Sequence, residues 1–360
     1  MTNRMVHLAQ RLWTPTTRRL LNLFSIVAVV VVATLVARHF ATSGWPIHKA
    51  NVGLVLLAAG LFLLSYGFKA FGWQRLFHAD SRPQVLTLAA AGGAAAVGGI
   101  ALPGRVDELI RIAIVRRGHK STIGAIALTL FVLGLIDSVA LAPLASVAAA
   151  LVSTSTLMRA GLCVVAFCGL GAAAVVVGLP RISSVRRLQR FRLVHWLAAH
   201  ACCPTEAAKA TAFVTVSWTL RALATFVLLQ GLGISTSFAL AMGFLCAGAA
   251  SAVLPVAPAG AATQAGAGAA LLVASGVPAE QALAFGIAAQ ALVIASGAVF
   301  VVLFGGQLAH RRLRPAFSGS CARDTRAAPR AAAARRPSGA GSPASPRCCR
   351  SAARGSGGTG

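Results

Sequence analysis

The chain has 360 residues, of which 57% are hydrophobic and 11% charged, whereas an ordinary soluble domain carries about a quarter charged residues. A soluble globular protein is therefore excluded, and recurring apolar stretches are long enough to cross a hydrocarbon core of ~30 Å. The net charge of +26 does not indicate a specific nucleic-acid-binding protein, because the basic residues lie in the C-terminal tail and between apolar runs, as in membrane proteins.

In chain order, about six apolar runs have the length of full membrane spans. Basic residues precede the first run and follow the last, so the positive-inside rule places both termini in the cytoplasm. The spans are predicted near 20–40, 51–71, 121–150, 157–179, 210–231 and 279–305. We divide the chain into a basic N-terminus (1–19), a transmembrane domain (20–309) and a disordered Arg/Ala/Pro/Gly-rich tail (310–360).

Two further apolar segments do not fit the count of crossings. Segment 84–117 has basic residues on both flanks, and 237–276 lies between two flanks predicted to be outside. We predict two re-entrant helical hairpins that enter from opposite faces, although ordinary spans are the alternative. The breaks are predicted at Pro103 and Gly104 in the first hairpin, and at Pro255, Pro258 and Gly260 in the second. The fold class is thus an all-α polytopic membrane protein with two opposed hairpins.

The first hairpin carries four charges in the stretch "GRVDELIR". On a helix, Arg105, Glu108 and Arg111 share one face, and Asp107 and Arg111 form an i, i+4 pair. The acids offset the cost of arginine at membrane depth, while the planar guanidinium groups suit a lipid phosphate. The alternative is an interfacial helix whose charges reach water and hold no ligand.

Three more polar residues lie inside predicted helices. Asp137 and Arg221 are expensive if they face lipid, so we expect both to face the interior of the helix bundle. We expect Asp137 to pair with an arginine of the hairpin or with Arg221. The alternative is that such an ion pair has a purely structural role. Gln264 is a weaker candidate for substrate binding, because buried amides often only join helices.

The charged motif resembles the lysylphosphatidylglycerol synthase transmembrane-region family of flippase-like membrane proteins. The residues that match the family's Pro-Gly-Arg-x-Gly-Glu-x-x-Arg motif are Pro103, Gly104, Arg105, Glu108 and Arg111. A second likeness, to the family's "LPxxPGGxG" hairpin, rests on Leu254, Pro255, Pro258 and Gly260.

The sequence also departs from the family pattern at several positions. Asp107 stands where a glycine is usual, and Ala265 where a glutamate is usual. The next helix keeps Asp137, but Leu133 and Gly134 replace the usual Glu-Arg pair. These departures affect the positions expected to set substrate or coupling.

The resemblance implies a membrane domain that moves or holds a lipid with a polar head group. We interpret the chain as a lipid translocase of the bacterial inner membrane. Its expected partners are membrane lipids, either anionic lipids or lipid-linked molecules. In bifunctional relatives, a separate soluble domain carries out the aminoacyl transfer. We expect this chain to lack that domain and therefore to have no enzyme activity. The sequence also predicts no cofactor or metal, and it leaves the oligomeric state open.

Two other interpretations belong to different classes. One is a non-transporting scaffold that presents a lipid or lipid-linked glycan precursor to a membrane enzyme. The other is a membrane-embedded transferase, for which Asp107, Glu108 and Asp137 are the candidate catalytic carboxylates.

Overall fold

The computed structural model describes residues 50–78, 82–101, 106–118, 122–152, 155–184, 204–234, 237–253 and 260–313, together with Arg38 and Thr42. Regular structure in these residues is helical throughout. The helices are α1 (Val52–Arg75), α2 (Val85–Ala101), α3 (Val106–Gly118), α4 (Ile123–Leu151), α5 (Thr156–Ser184), α6 (Pro204–Gly231), α7 (Phe238–Val253), α8 (Gly260–Ala274) and α9 (Ala279–Leu313).

Five of the described helices, α1, α4, α5, α6 and α9, are long and apolar enough to cross a membrane. They coincide with five of the six predicted spans, and most extend further: α6, for example, begins at Pro204 rather than near 210. The predicted span 20–40 lies outside the described residues except for Arg38. The prediction of an all-α polytopic membrane protein is confirmed.

Helices α1 and α6 pack as an antiparallel pair along their whole length. The Asn51 amide before α1 donates to the carbonyl of Gly231 at the end of α6 (2.7 Å). Midway, the Ser217 hydroxyl donates to the Ser65 carbonyl (2.8 Å). The two helices thus begin on opposite sides of the bundle.

Helix α4 is antiparallel to α1 as well. The Trp73 indole near the end of α1 donates to Thr129 near the start of α4 (3.1 Å), whereas Lys69 pairs further along with Asp137. Helix α4 therefore begins on the side where α1 ends, and α5 returns along it, with Gly169 in close approach to the Ser138 carbonyl.

Helices α2 and α3 form the first hairpin. They pack together, with Gly98 beside Ile110 across the connection. Helix α2 begins just after Arg82, which pairs with Glu206 at the start of α6 (2.7 Å), and α3 ends just before α4 begins. Both ends of this hairpin thus lie on the side where α1 ends, as a re-entrant element requires.

Helices α7 and α8 form the second hairpin, from the other side of the bundle. A Cβ atom on Gly248 would lie 3.3 Å from the Gln264 carbonyl, and one on Gly243 would lie 3.1 Å from Leu271. As residue numbers fall in α7 they rise in α8, so the two helices are antiparallel. Helix α7 follows the end of α6, and α8 leads to α9.

The prediction of two opposed hairpins is therefore confirmed by the topology. Of the predicted break residues, Pro103, Gly104, Pro255 and Pro258 lie outside the described residues. Gly260 is the first residue of α8, so it begins the returning helix of the second hairpin.

Glycine allows two helices to approach at their backbones. A Cβ atom on Gly93 of α2 would collide with the Gly297 carbonyl of α9, and one on Gly297 would lie 2.9 Å from the Gly93 Cα. Gly93, in the stretch "AAAGGAAAVGG", thus serves close helix packing, as small residues often do in membrane helices. At the end of α8, Gly276 has φ 94°, the left-handed conformation that closes a Schellman motif.

The Cα positions divide the chain into two units, Met1–Phe304 and Gly305–Gly360. The first contains α1 to α8 and most of α9. In the second, the described residues 305–313 form the last part of α9, and the predicted tail 314–360 lies outside the described residues.

Candidate functional site

Helices α1, α4 and α6 bring a set of polar and aromatic side chains together inside the bundle. All of them come from helices that are otherwise apolar. We call this set the central cluster; its members are Ser65, Tyr66, Lys69, Asp137, Trp218 and Arg221.

Asp137 accepts two short hydrogen bonds, one on each carboxylate oxygen. Lys69 Nζ lies 2.8 Å from Oδ2, and the Trp218 Nε1 donates to Oδ1 at 2.8 Å. Of the arginines expected to pair with Asp137, neither Arg111 nor Arg221 does so, and Arg105 lies outside the described residues. Lys69 reaches it first, because α1 and α4 pack with these two positions facing each other, while Arg221 is turned toward α1.

Arg221 is held by neutral groups. Its Nε donates to the Ser65 hydroxyl (3.2 Å), and its Cζ lies 5.1 Å from the Tyr66 ring centre and 5.2 Å from that of Trp218. Aromatic faces attract a guanidinium group through cation–π interactions. Among the described residues, no carboxylate pairs with Arg221 and no acceptor bonds its two terminal nitrogens.

The surrounding hydroxyl groups are tied to backbone carbonyls. Ser65 and Ser217 are buried, with the Ser65 hydroxyl donating to the Phe62 carbonyl (2.8 Å). The Thr225 hydroxyl donates to the carbonyl of Arg221 itself (2.8 Å). Ser217 and Thr225 thus form a polar stripe with Arg221 on α6, but their hydroxyl groups bond backbone carbonyls rather than the guanidinium group.

The cluster lies deep along the helices yet remains partly open. Asp137 is at the middle of the 29-residue α4, about 20 Å from either end at ~1.5 Å per residue. The side chains of Lys69 and Asp137 nevertheless keep 22% and 21% of their surface accessible. The pair therefore borders open space instead of being sealed in the core.

One residue of the charged stretch of the first hairpin, Arg111, lies near this cluster. Arg111 interacts electrostatically with both Lys69 and Tyr66, as does Arg221. The predicted pair of Asp107 and Arg111 is present at 3.6 Å. The structure thus brings Arg111, Asp137 and Arg221 into one region, as expected from the cost of isolated charges in a membrane.

The other sequence-predicted candidates are placed differently. Glu108 is an exposed residue of α3, and Arg105 lies outside the described residues. Gln264 is on α8, where its backbone packs beside Gly248, whereas the central cluster is formed by α1, α4 and α6.

A second charged group lies on the side of the bundle where α1 ends. Glu206 binds Arg82 (2.7 Å) and Lys209 (2.9 Å), with Arg75 at 3.6 Å. This group joins the end of α1, the connection to α2 and the start of α6. Among the described residues, no three His, Cys, Asp or Glu side chains lie close enough to share a metal ion.

Sequence reasoning missed four members of the central cluster. Lys69 lies near the end of the predicted span 51–71, but α1 continues to Arg75 and encloses it. The signal was available in α1, where polar and aromatic side chains recur at helical spacing within an apolar run: Ser65, Tyr66, Lys69 and Trp73. Trp218, on α6, was also missed.

A comparison with protein families finds a match over the part of the chain that contains this cluster. The family model of the lysylphosphatidylglycerol synthase TM region matches residues 20–305. The chain belongs to this family. The match confirms the resemblance found in the "LPGRVDELIR" motif and includes all members of the central cluster.

As a member of this family, the chain is a membrane protein, and the family is associated with lipid handling. No curated protein and no solved structure matches the chain at a significant level.

Proposed function

We propose that the protein is a lipid translocase that holds a phosphate-bearing head group at the central cluster. The main support for this proposal is that the two terminal nitrogens of Arg221 have no hydrogen-bond acceptor among the described residues. A guanidinium group presents parallel N–H donors that match two phosphate oxygens. The aromatic rings of Tyr66 and Trp218 hold its plane without competing for those donors.

Neighbouring cations add to the attraction for a phosphate. Lys69 is bound to Asp137 but stays close to the Trp218 ring (5.5 Å), and Arg111 acts on the same region from α3. The Arg111 Nε is buried and has no hydrogen-bond partner among the described residues. Asp107 orients Arg111 in this proposal, and Glu108 and Arg105 extend the charged surface of the hairpin.

The two hairpins supply a route for the head group. They enter from opposite sides, and α2 packs against α8. Broken helices that meet from opposite faces are a recurrent feature of transporters, because non-helical backbone at membrane depth requires a protein-lined cavity. We place Gln264 along this route.

The positive-inside rule supports the orientation that we propose, in a bacterial inner membrane with both termini in the cytoplasm. The basic residues on the side where α1 ends and α4 begins are Arg75, Arg82, Arg116, Arg117 and Lys209. Arg159 lies near the start of α5, on the other side. On the positive-inside rule, this excess of cations supports a cytoplasmic position for the first side.

Movement of fluorescent phosphatidylglycerol between the leaflets of proteoliposomes tests this function. We expect the wild type to move the lipid, and Arg221→Gln and Arg111→Gln each to slow it about tenfold or more, because a charge-assisted hydrogen bond is worth ~1.5–3 kcal/mol. Lys209→Gln, which removes a distant exposed cation, is the matched control. Wild-type rates in both arginine variants would remove these residues from the mechanism.

We propose that the lipid leaves the protein chemically unchanged. Mass spectrometry of the lipids recovered from the same vesicles checks this, since a transferase would produce a new species. Tight lipid binding without movement in the wild type would contradict a translocase and favour the scaffold interpretation.

A further inference from the structure

We infer that Trp218 is a positioning residue: its indole N–H occupies Asp137 and thereby keeps the guanidinium group of Arg221 free for a ligand phosphate. The inference rests on the proposed function and deepens it, because it identifies what keeps the proposed phosphate-binding group available. It depends only on contacts between described residues of the central cluster.

Trp218 contacts every charged side chain of the central cluster. Its Nε1 donates to Asp137 Oδ1 at 2.8 Å. The Arg221 Cζ lies over the ring, 5.2 Å from its centre, and Lys69 Nζ lies 5.5 Å from the same centre. Because Trp218 is buried, packing holds its ring at the point where these three groups meet.

Arg221 and Asp137 do not pair, although both contact the same indole. A guanidinium group and a carboxylate form one of the strongest side-chain contacts, through two parallel hydrogen bonds, and a medium of low dielectric constant strengthens their attraction. Among the described residues, Lys69 is the cation that binds Asp137, whereas Arg221 donates from Nε to the Ser65 hydroxyl (3.2 Å). A structural feature must therefore keep the guanidinium group from the carboxylate.

The indole of Trp218 provides this separation. Arg221 lies over the face of the ring, where a cation–π interaction holds it, and Asp137 lies at the N–H edge. The N–H takes one carboxylate oxygen and Lys69 takes the other, so a guanidinium group would compete with a donor at both. Without the N–H, Oδ1 becomes an acceptor for Arg221, which then has fewer donors left for a phosphate.

The test first measures how strongly Arg221 and Asp137 interact, from the unfolding equilibria of Arg221→Gln, Asp137→Asn and the double variant in mixed micelles. With Trp218 present, we expect the two effects on the unfolding equilibrium constant to multiply to within about threefold. In the Trp218→Phe background we expect a departure of about tenfold, because residues in direct contact no longer act independently.

Trp73→Phe is the matched control. It removes a buried indole N–H that donates to Thr129 at 3.1 Å, and it should leave the coupling between Arg221 and Asp137 unchanged. If Trp218→Phe does not fold, benzothienylalanine at position 218 replaces the N–H with sulfur and keeps the size of the ring. Unchanged coupling in the folded protein without this N–H would overturn the inference.

Movement of the fluorescent phosphatidylglycerol in proteoliposomes separates positioning from a merely structural role. Trp218→Phe should slow movement about tenfold with Asp137 present and less than about threefold in the Asp137→Asn background, because a neutral amide holds a guanidinium group more weakly than a carboxylate does. Equal slowing in both backgrounds would overturn the inference and leave the proposed function intact. If the wild type moves no lipid, the proposed function fails, and the coupling measured by unfolding still decides the inference.

Discussion

Replacing Asp137 with asparagine isolates the contribution of the ion pair inside the bundle. Asparagine keeps a side-chain oxygen for the Trp218 indole, which donates to Asp137 at 2.8 Å. It removes the charge that faces Lys69 Nζ at 2.8 Å. The change therefore leaves a lysine ammonium without its counter-ion in an apolar helix pair.

The expected cost follows from the position of Lys69. A lone charge at the centre of a membrane helix costs ~2.5–3.5 kcal/mol. Lys69 lies six residues before Arg75, about 9 Å along the helix, and it keeps 22% of its surface accessible, so its side chain can partly reach water. We expect Asp137→Asn to lower the free energy of unfolding by about 2 kcal/mol, and Lys69→Met in that background to restore most of the loss.

The assay is denaturant titration of the purified protein in mixed micelles, followed by circular dichroism of the helices. The two single variants, the double variant and the wild type form a thermodynamic cycle. Lys209→Gln is the control, since that lysine is 55% exposed and should cost less than ~1 kcal/mol. Additive losses in the double variant would show that Lys69 and Asp137 are not coupled, and the cluster as described would be refuted.

Two further predictions concern packing and the second charged group. Gly93→Ala should destabilise the protein by ~1–3 kcal/mol, because its Cβ would meet the Gly297 backbone. Gly134→Ala, whose Cβ would have nothing within 4 Å, should be neutral or slightly stabilising in the same denaturant titration. Equal effects of the two substitutions would contradict this packing. Glu206→Gln should cost about 1 kcal/mol, since its cations, Arg82 among them, lose their counter-ion, and the loss should shrink with added salt; a salt-independent loss would argue against an electrostatic role.

The architecture was largely predictable from local properties of the sequence. The length of an apolar run decides whether it can cross a membrane, and proline with glycine decides where a helix breaks, so both hairpins could be placed before their contacts were known. The charges beside each run predict the orientation in the membrane. Gly260, one of the predicted break residues, begins α8.

The partners inside the bundle were less predictable. The sequence indicated that Asp137 and Arg221 had to face the interior, because each is costly in lipid. It did not indicate which cation would reach Asp137. Lys69 lies near the end of the predicted span 51–71, and a lysine near a helix end usually extends to the interface.

By itself, the sequence determined that this protein spans a membrane with two broken helices and that its few internal charges cannot face lipid. These are consequences of chain length, backbone hydrogen bonding and the cost of charge in hydrocarbon, which act residue by residue. Only the tertiary structure decided that Lys69 neutralises Asp137, while Arg221 packs near the rings of Tyr66 and Trp218. That choice depends on which faces α1, α4 and α6 turn toward each other, and their packing contacts join residues far apart in the chain.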